Sequence, residues 1–396
     1  MTLSPTFVVP RYWPGIGGAE QHSRALVQAL ARRRHTPRVV RFCSTEPHPT
    51  DYAYAYNDTT TILDGTVPVT QPGPEGAAAA VLRRLAAHAD DSRALRLGWR
   101  MLCEHALTAQ LRHLAASSEV VHAIYNGFTP AAVAVARLTQ PFVWTPLAHT
   151  TRPHGSAWSS PGFRRLYRRA DALIAMTDYE RDWLISLGAS ADRVHVSPMA
   201  PLISDHPADV DGFRTRHALD EDPIVLFMGR LVDYKGYRTL LQAAPAIWRR
   251  HPSARIVLAG PADASVAAEL QALDERRIRY IGVIDDAEKN AALAASEMVC
   301  IPSTEESLGV VYLEAWHFAK PVIAADIPVM RSVVEHGTDG LLSTATRDAV
   351  GTAVVALLDD ADRAREMGQA GLRKKTQRYN WAETARQHET IYQTLT

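Results

Sequence analysis

The sequence predicts an α/β protein built from two doubly wound, Rossmann-like domains. Three observations carry that expectation. Short apolar runs rich in β-branched residues recur along the chain without inner polar alternation, as strands covered on both faces require. These runs alternate with helical sequence, the pattern of a parallel sheet wound with helices. Between Pro201 and Asp222 the alternation lapses into a linker composition containing Pro201, Asp205, Pro207, Asp209 and Asp211, followed by Pro223. The expected domains are therefore residues 1–203 and 204–380, followed by a helix over 381–396.

In the first half, Thr6–Pro10 reads as a strand, Gly15-Ile16-Gly17-Gly18 as a turn, and the sequence to about Arg34 as a helix. Further strands are expected at Arg38–Cys43, Glu119–Ala123, Phe142–Thr145, Ala172–Met176 and Arg193–Ser197. Thr45–Gly76, rich in Pro, Thr, Tyr and Gly, reads as irregular, and Ala77–Ala115 as helical. In the second half, strands are expected at Ile224–Met228, Arg255–Ala259, Ile278–Ile281, Met298–Ile301 and Pro321–Ala324. Helices are expected at about Tyr237–Arg250 and Ser265–Arg276. The tail places Trp381, Ala385, Ile391, Tyr392 and Leu395 on one helical stripe, which needs a surface to pack on. Open α/β domains present their ligand crevices at the carboxyl ends of the strands, so the expectation is a cleft with one substrate on each wall.

Composition is that of a globular enzyme. The 396 residues are 46% hydrophobic and 22% charged, with zero formal net charge, which gives no reason to expect nucleic-acid binding. Residues 1–203 nevertheless carry 21 Arg, no Lys and 15 acidic side chains, a net +6 that the remainder cancels. Scattered surface arginines account for this, or an anionic acceptor or membrane surface does. Cys43, Cys103 and Cys300 have neither metal-ligand nor disulfide spacing and read as buried thiols in a reducing cytoplasm. No signal peptide and no span of roughly 20 apolar residues is evident, so any membrane contact is expected to be peripheral.

The chemistry concentrates in the second half. Arg230 and Lys235, between Gly229 and Gly236, follow the strand Ile224–Met228. An arginine fork and a compact lysine charge could neutralise a diphosphate, or both could be ordinary loop cations. In the run Glu306-Ser307-Leu308-Gly309-Val310, Gly309 opens an apolar helix that carries Glu314. Amides at such a helix start attract phosphate, so a loop carboxylate at Glu306 should face sugar hydroxyls instead. Glu306 could equally be a helix cap, with Glu305 making the assignment ambiguous by one position. Glu314 could accept the two hydroxyls of a ribose, or lie on a solvated face. Gly17 and Gly18 form a turn into a helix, an anion-friendly nest but a weak signal alone. His149 ends the run Phe142–Ala148 at a predicted strand terminus, where a histidine is either structural or functional. Arg164, Arg165, Arg168 and Arg169 line one helix, as a solvated face or a contact for anionic lipid. Asp285-Asp286 and Asp359-Asp360 are assigned no metal.

Over almost its full length the chain resembles a family-four retaining glycosyltransferase with the GT-B fold (glycosyl transferases group 1). The resemblance rests on Gly17-Gly18 with Glu20, Ala170–Ala175, Gly229-Arg230-Leu231 with Lys235-Gly236, and Leu258–Pro261. It also rests on Glu306 with Glu314, Pro321–Ala324, Glu335-His336-Gly337 and Gly340–Leu342, in that order. It implies that Arg230 and Lys235 bind a donor diphosphate, Glu306 the transferred sugar and Glu314 the ribose. Ser307, Leu308, Gly309 and Val310 would complete the donor site, and backbone at Gly282, Val283 and Ile284 would hold the base. His149 would sit beside the sugar, Gly17 and Gly18 near the phosphates or the acceptor, and the tail helix would return to the first domain. Catalysis would fall to Glu306, His149, Arg230 and Lys235, with no metal and no cofactor. Departures from the family pattern are Met199-Ala200, where Asn-Gly often follows the proline, and Ser332, where a Glu often precedes the paired valines.

The expected activity is retaining transfer of a hexose-type sugar from a nucleoside-diphosphate sugar, UDP-linked in the favoured form, in the cytoplasm. A small molecule, a glycan or a lipid-linked compound would accept it. Tyr12, Trp13, Tyr125, Trp144 and Trp158 could stack on that acceptor or belong to the core. A nucleotide-sugar epimerase of the same fold, or a degenerate sugar-nucleotide-binding module, are the alternatives.

Overall fold

The computed structural model describes residues 2–13, 18–42, 52–124, 129–151, 157–273 and 275–396. The chain divides into two compact units, one comprising Met1–Ala148, Pro153–Pro198 and Trp381–Thr396, the other His149–Arg152 and Met199–Asn380.

The first unit is built on an eight-stranded sheet. Its strands are β1 (Thr6–Val9), β2 (Arg38–Arg41), β3 (Thr60–Asp64), β4 (Val67–Gln71), β5 (Val121–Ile124), β6 (Phe142–Thr145), β7 (Ala172–Ala175) and β8 (Val194–Val196). They lie in the order β3-β4-β2-β1-β5-β6-β7-β8. All neighbours pair in parallel except β3 and β4. The central strands β1, β5, β6 and β7 are buried along their whole length, which is why their sequences are continuous apolar runs rather than alternating ones.

One expectation in this unit needs correction. The stretch expected to be irregular contains the hairpin β3–β4, closed through Gly65 at φ +64°. Its Asp64-Gly65 dipeptide was the available signal. It was obscured because β3 is an exposed edge strand whose adjacent Ile62 and Leu63 follow Thr60 and Thr61, neither an alternation nor a long apolar run. The stretch expected to be helical over Ala77–Ala115 is so, as two helices, Gly76–Ala87 and Arg93–Leu114, the second capped by Ser92 accepting from Leu95 N–H.

The tail helix Trp381–Leu395 packs in this first unit against the helix Gly18–Arg32. Its buried stripe is Thr384, Ala385, His388, Ile391 and Tyr392, so polar residues share the face that the apolar pattern located. Thr384 Oγ1 donates to Pro198 O at 3.0 Å, and Arg33 donates to Glu389 from the outside at 2.9 Å. The helix Pro161–Arg169 buries Phe163, Leu166 and Tyr167 and leaves Arg164, Arg165, Arg168 and Arg169 exposed. Trp144, Tyr12 and Trp158 are core residues rather than open stacking platforms; Trp144 stacks on Tyr167 at 5.0 Å. Trp13 is half-buried under the Arg24 guanidinium, while Tyr125 and Cys43 lie outside the described residues.

The second unit is a six-stranded, all-parallel sheet. Its strands are β9 (Ile224–Met228), β10 (Arg255–Ala259), β11 (Ile278–Gly282), β12 (Met298–Ile301), β13 (Val322–Ala325) and β14 (Gly340–Ser343), in the order β11-β10-β9-β12-β13-β14. Strand order reverses between β9 and β12, which are neighbours in the sheet though far apart in the chain. At such a reversal the flanking connections leave in opposite directions and open a crevice at the strands' carboxyl ends. Cys300 in β12 and Cys103 in the first unit are buried free thiols. Among the described residues no helix is long and apolar enough to cross a membrane.

Candidate active site at the β9–β12 switch point

The residues after β9 and after β12 are drawn together by one glycine. β9 exits through Gly229 into a turn that ends in the short 3-10 helix Asp233–Lys235 and the helix Tyr237–Arg250. Gly236 joins these two helices at φ +81°, and a Cβ there would lie 2.6 Å from Pro302 O, just beyond β12. Only a residue without a side chain permits both that conformation and that approach. The result is that Lys235, immediately before Gly236, faces Glu306. Lys235 Nζ donates to Glu306 Oε1 at 2.5 Å, and Glu306 is buried with 6% of its surface exposed.

The two loops are tied at further points. Thr304 N–H donates to Tyr234 O at 2.8 Å. Arg230 Nη2 donates to Tyr234 Oη at 2.5 Å. Glu305 turns the other way, placing Oε2 3.7 Å from His149 Nδ1, and the His149 ring meets Tyr234 edge-on at 6.5 Å. Thr151 Oγ1 adds a hydrogen bond to Thr304 O at 2.9 Å. The chain reaches His149 through Leu147, a non-glycine residue in the left-handed region at φ 47°. The neighbouring carboxylates that the sequence left ambiguous are thus separated by partner: Glu306 takes the lysine and Glu305 the histidine. The helix-cap alternative for Glu306 falls away, because Gly309 occupies the cap position of the helix Val310–His317.

Gly309 is itself at φ +74°, and a Cβ there would strike the Tyr312 ring at 2.5 Å. Tyr312 is fixed by donating to Ile301 O at 2.6 Å, so the helix start is anchored to the end of β12. Leu308 is buried, while Ser307, Gly309 and Val310 are partly open. Glu314, inside the helix, is 4% exposed and so does not lie on a solvated face. Burial pushes its carboxyl above the usual range, against the pull of Lys289 and of the Leu202 N–H. Lys289 Nζ stands 3.5 Å from Glu314 and also donates to Leu202 O. Lys289, Leu202 and Tyr234 were not singled out from the sequence. Lys289 sits in a helix with no motif around it, and Tyr234 is one aromatic residue among many.

Gly282 ends β11 and Val283 and Ile284 follow it; Gly282 O accepts from Gly260 N–H at 2.7 Å and Val283 is exposed. The carboxyl ends of β9, β11 and β12 thus present the cation turn, this exposed backbone and the Glu305–Glu306 loop within one unit. Gly18 opens the helix Gly18–Arg32 of the other unit, and Gly17 lies outside the described residues. The acid pairs have structural partners: Asp285 and Asp360 cap helices, and Asp359 pairs with Arg250 and His251.

A group whose positive side chains adjoin buried carboxylates suits a ligand with an anionic part next to a hydroxylated one. Comparison with known proteins gives the same direction. A family model for Glycosyl transferases group 1 matches residues 210–374, and one for the Glycosyl transferase 4-like domain matches residues 17–200. The chain is 30% identical over 243 residues to the alpha-D-kanosaminyltransferase of Streptomyces kanamyceticus, covering 59% of this chain and 62% of that protein. It is 29% identical over 244 residues to the phosphatidyl-myo-inositol mannosyltransferase of Mycobacterium tuberculosis, with the same coverage of 59% and 62%. The chain thus spans about three-fifths of the length of the curated relatives it matches. Among solved structures, Anabaena HepE in complex with UDP and glucose superposes with a TM-score of 0.73 at 20% identity, covering 99% of this chain and 100% of that one. The sucrose-phosphate synthase of Thermosynechococcus elongatus superposes with a TM-score of 0.75 at 20% identity, covering 99% of each chain. That likeness establishes the GT-B fold.

Proposed function

The chain belongs to the group 1 glycosyl transferases, and from that premise we propose that it moves a hexose-type sugar from a nucleoside-diphosphate sugar to an acceptor hydroxyl with retention of configuration. The observation that carries this reading is the Lys235–Glu306 pair at 2.5 Å. In a nucleotide sugar the anomeric carbon is bonded directly to a phosphate oxygen. Groups that hold the phosphate and groups that hold the adjacent sugar must therefore be near neighbours. A cation and a carboxylate in contact, each on its own strand end, meet that requirement. UDP is the nucleotide we favour, following the HepE complex, which contains it.

In this reading Arg230 and Lys235 neutralise the diphosphate and stabilise it as a leaving group. Glu306 and His149 hold the sugar, Glu314 takes the ribose hydroxyls, and backbone at Gly282–Ile284 takes the base. The bond between the anomeric carbon and the phosphate oxygen loosens. The acceptor oxygen then forms its bond on the same face, and the departing phosphate oxygen takes the acceptor's proton. The products are the glycosylated acceptor and the nucleoside diphosphate. Positioning and electrostatics supply the catalysis, so no protein base and no metal is required by this route. Acceptor binding is assigned to the first unit. The acceptor is a small molecule, a glycan or a lipid-linked compound. Transfer takes place in the cytoplasm, with any membrane contact peripheral.

The test is transfer from a labelled UDP-hexose with the wild type, Lys235→Ala and Glu306→Ala, each checked for a native melting transition. Loss of transfer in both folded variants supports the reading, and full activity in both refutes it.

A further inference from the structure

Arg230 and Lys235 leave the same short turn, and the Lys235 ammonium is already paired with Glu306. Both also adjoin the ring of Tyr234. The Arg230 guanidinium carbon lies 5.9 Å from the centre of its ring and the Lys235 ammonium 5.7 Å, both within the range where a ring face attracts a cation. The phenol oxygen also accepts from Arg230 Nη2 at 2.5 Å. The main chain of the same residue is pinned independently, because its carbonyl accepts from Thr304 N–H at 2.8 Å and from Thr304 Oγ1 at 3.4 Å. Thr304 leads directly into Glu305 and Glu306. One residue therefore joins the cation turn to the carboxylate loop through its backbone, and its side chain hydrogen-bonds Arg230 and adjoins Lys235, which Glu306 also holds. Tyr234 is only partly buried, so core packing does not account for it.

We propose that Tyr234 is a positioning residue for the donor diphosphate: it holds Arg230 and Lys235 side by side before the nucleotide arrives. This rests on the donor reading given above. A free arginine or lysine side chain loses considerable rotamer freedom when it closes on a ligand. Restraining both beforehand lowers the cost of binding, which then appears as affinity for the phosphates and not for the nucleoside.

The test is calorimetric titration of the wild type, Tyr234→Phe and Tyr234→Ala with UDP and, separately, with uridine, which lacks the phosphates. GDP and guanosine are run in parallel. Donor KM and kcat are measured alongside. Tyr234→Ala is expected to weaken nucleoside-diphosphate binding by about tenfold, from the lost ring and hydrogen bond together. Nucleoside binding should stay unchanged, and in turnover the loss should fall on donor KM rather than kcat. Tyr234→Phe keeps the ring and should recover part of the affinity, leaving a deficit of about threefold. Wild-type diphosphate affinity in Tyr234→Ala overturns the inference. So does an equal loss for diphosphate and nucleoside accompanied by a lowered melting temperature, which marks a purely structural residue. A wild type that binds none of the four probes, and neither ADP nor dTDP, overturns the donor reading itself, and is distinguished from the other outcomes because it needs no variant.

Discussion

Glu180 Oε1 accepts from Ala148 N–H at 2.7 Å while its Oε2 accepts from Met176 N–H, also at 2.7 Å. One fully buried carboxylate thereby clamps the chain beyond the ends of both β6 and β7. Burial pushes its carboxyl up to about 7, and the two N–H donors pull only partly in the other direction. The folded value lies above the unfolded one, near 4.5. Glu180 therefore contributes stability that is complete below about pH 4.5 and is lost as the pH rises toward 7. Glu180→Gln cannot ionise, so the wild type should lose ground against it across that window by on the order of 3 kcal/mol. Parallel denaturant titrations at pH 4.5, 6 and 7.5 measure the difference, and a difference that does not change with pH contradicts the assignment.

His22, His122 and His388 are fully buried in the same unit, with His122 and His388 stacked at 5.6 Å. Of the three, His22 has no hydrogen-bond partner for either ring nitrogen among the described residues. Burial, with the repulsion of His388, pulls it down to about 3. Its folded value is below the unfolded one, so its share of stability is complete above about pH 6.5 and is lost as the pH falls below that. His22→Leu removes both the unsatisfied nitrogens and the protonation cost. It should stabilise by about 1–3 kcal/mol at neutral pH and by more in acid. Acid unfolding monitored by circular dichroism should show a lower midpoint pH in the variant than in the wild type.

Gly236→Ala should disturb the site without touching ligand chemistry. The new Cβ meets Pro302 O at 2.6 Å in a left-handed conformation, so the turn carrying Lys235 must move away from the β12 loop. Strain of this kind costs about 1–3 kcal/mol. Melting temperature and nucleotide affinity should fall together in this variant, whereas Lys235→Ala should lower affinity far more than stability.

Lys235→Ala should reduce kcat by about 100-fold to 1000-fold if the ammonium stabilises charge on the departing phosphate. Lys235→Arg keeps the charge but not the compact geometry and should restore only part of the rate. A kcat within a factor of two of wild type in Lys235→Ala would remove the residue from the chemistry.

Much of this was legible in the sequence for a physical reason. Strands buried on both faces leave uninterrupted apolar runs, so β9, β10 and β12 could be read directly, and the motifs at their ends came with them. Gly236 and Gly309 announced themselves because positive φ and close backbone approach exclude other residues. β3 stayed hidden because its exposed edge position leaves Ile62 and Leu63 side by side, without the alternation or long apolar run of a buried strand, and the break between the helices Gly76–Ala87 and Arg93–Leu114 was obscured by an alanine- and arginine-rich composition. Tyr234 and Lys289 were missed because their importance comes from partners distant in sequence. Arg230 is near in the chain, but Thr304 and Glu314 are brought in only by folding. The separation of Glu305 from Glu306 is likewise a property of the folded loops.

The central claim is that Arg230 and Lys235 grip a diphosphate while Glu306 holds the sugar bonded to it. A crystal structure of the protein soaked with an unhydrolysable UDP-hexose tests this most directly. The diphosphate oxygens should lie about 3 Å from Lys235 Nζ and the Arg230 guanidinium, with a hexose hydroxyl at the same distance from Glu306. A nucleotide bound away from β9 and β12, or a hexose turned away from Glu306, would contradict the account.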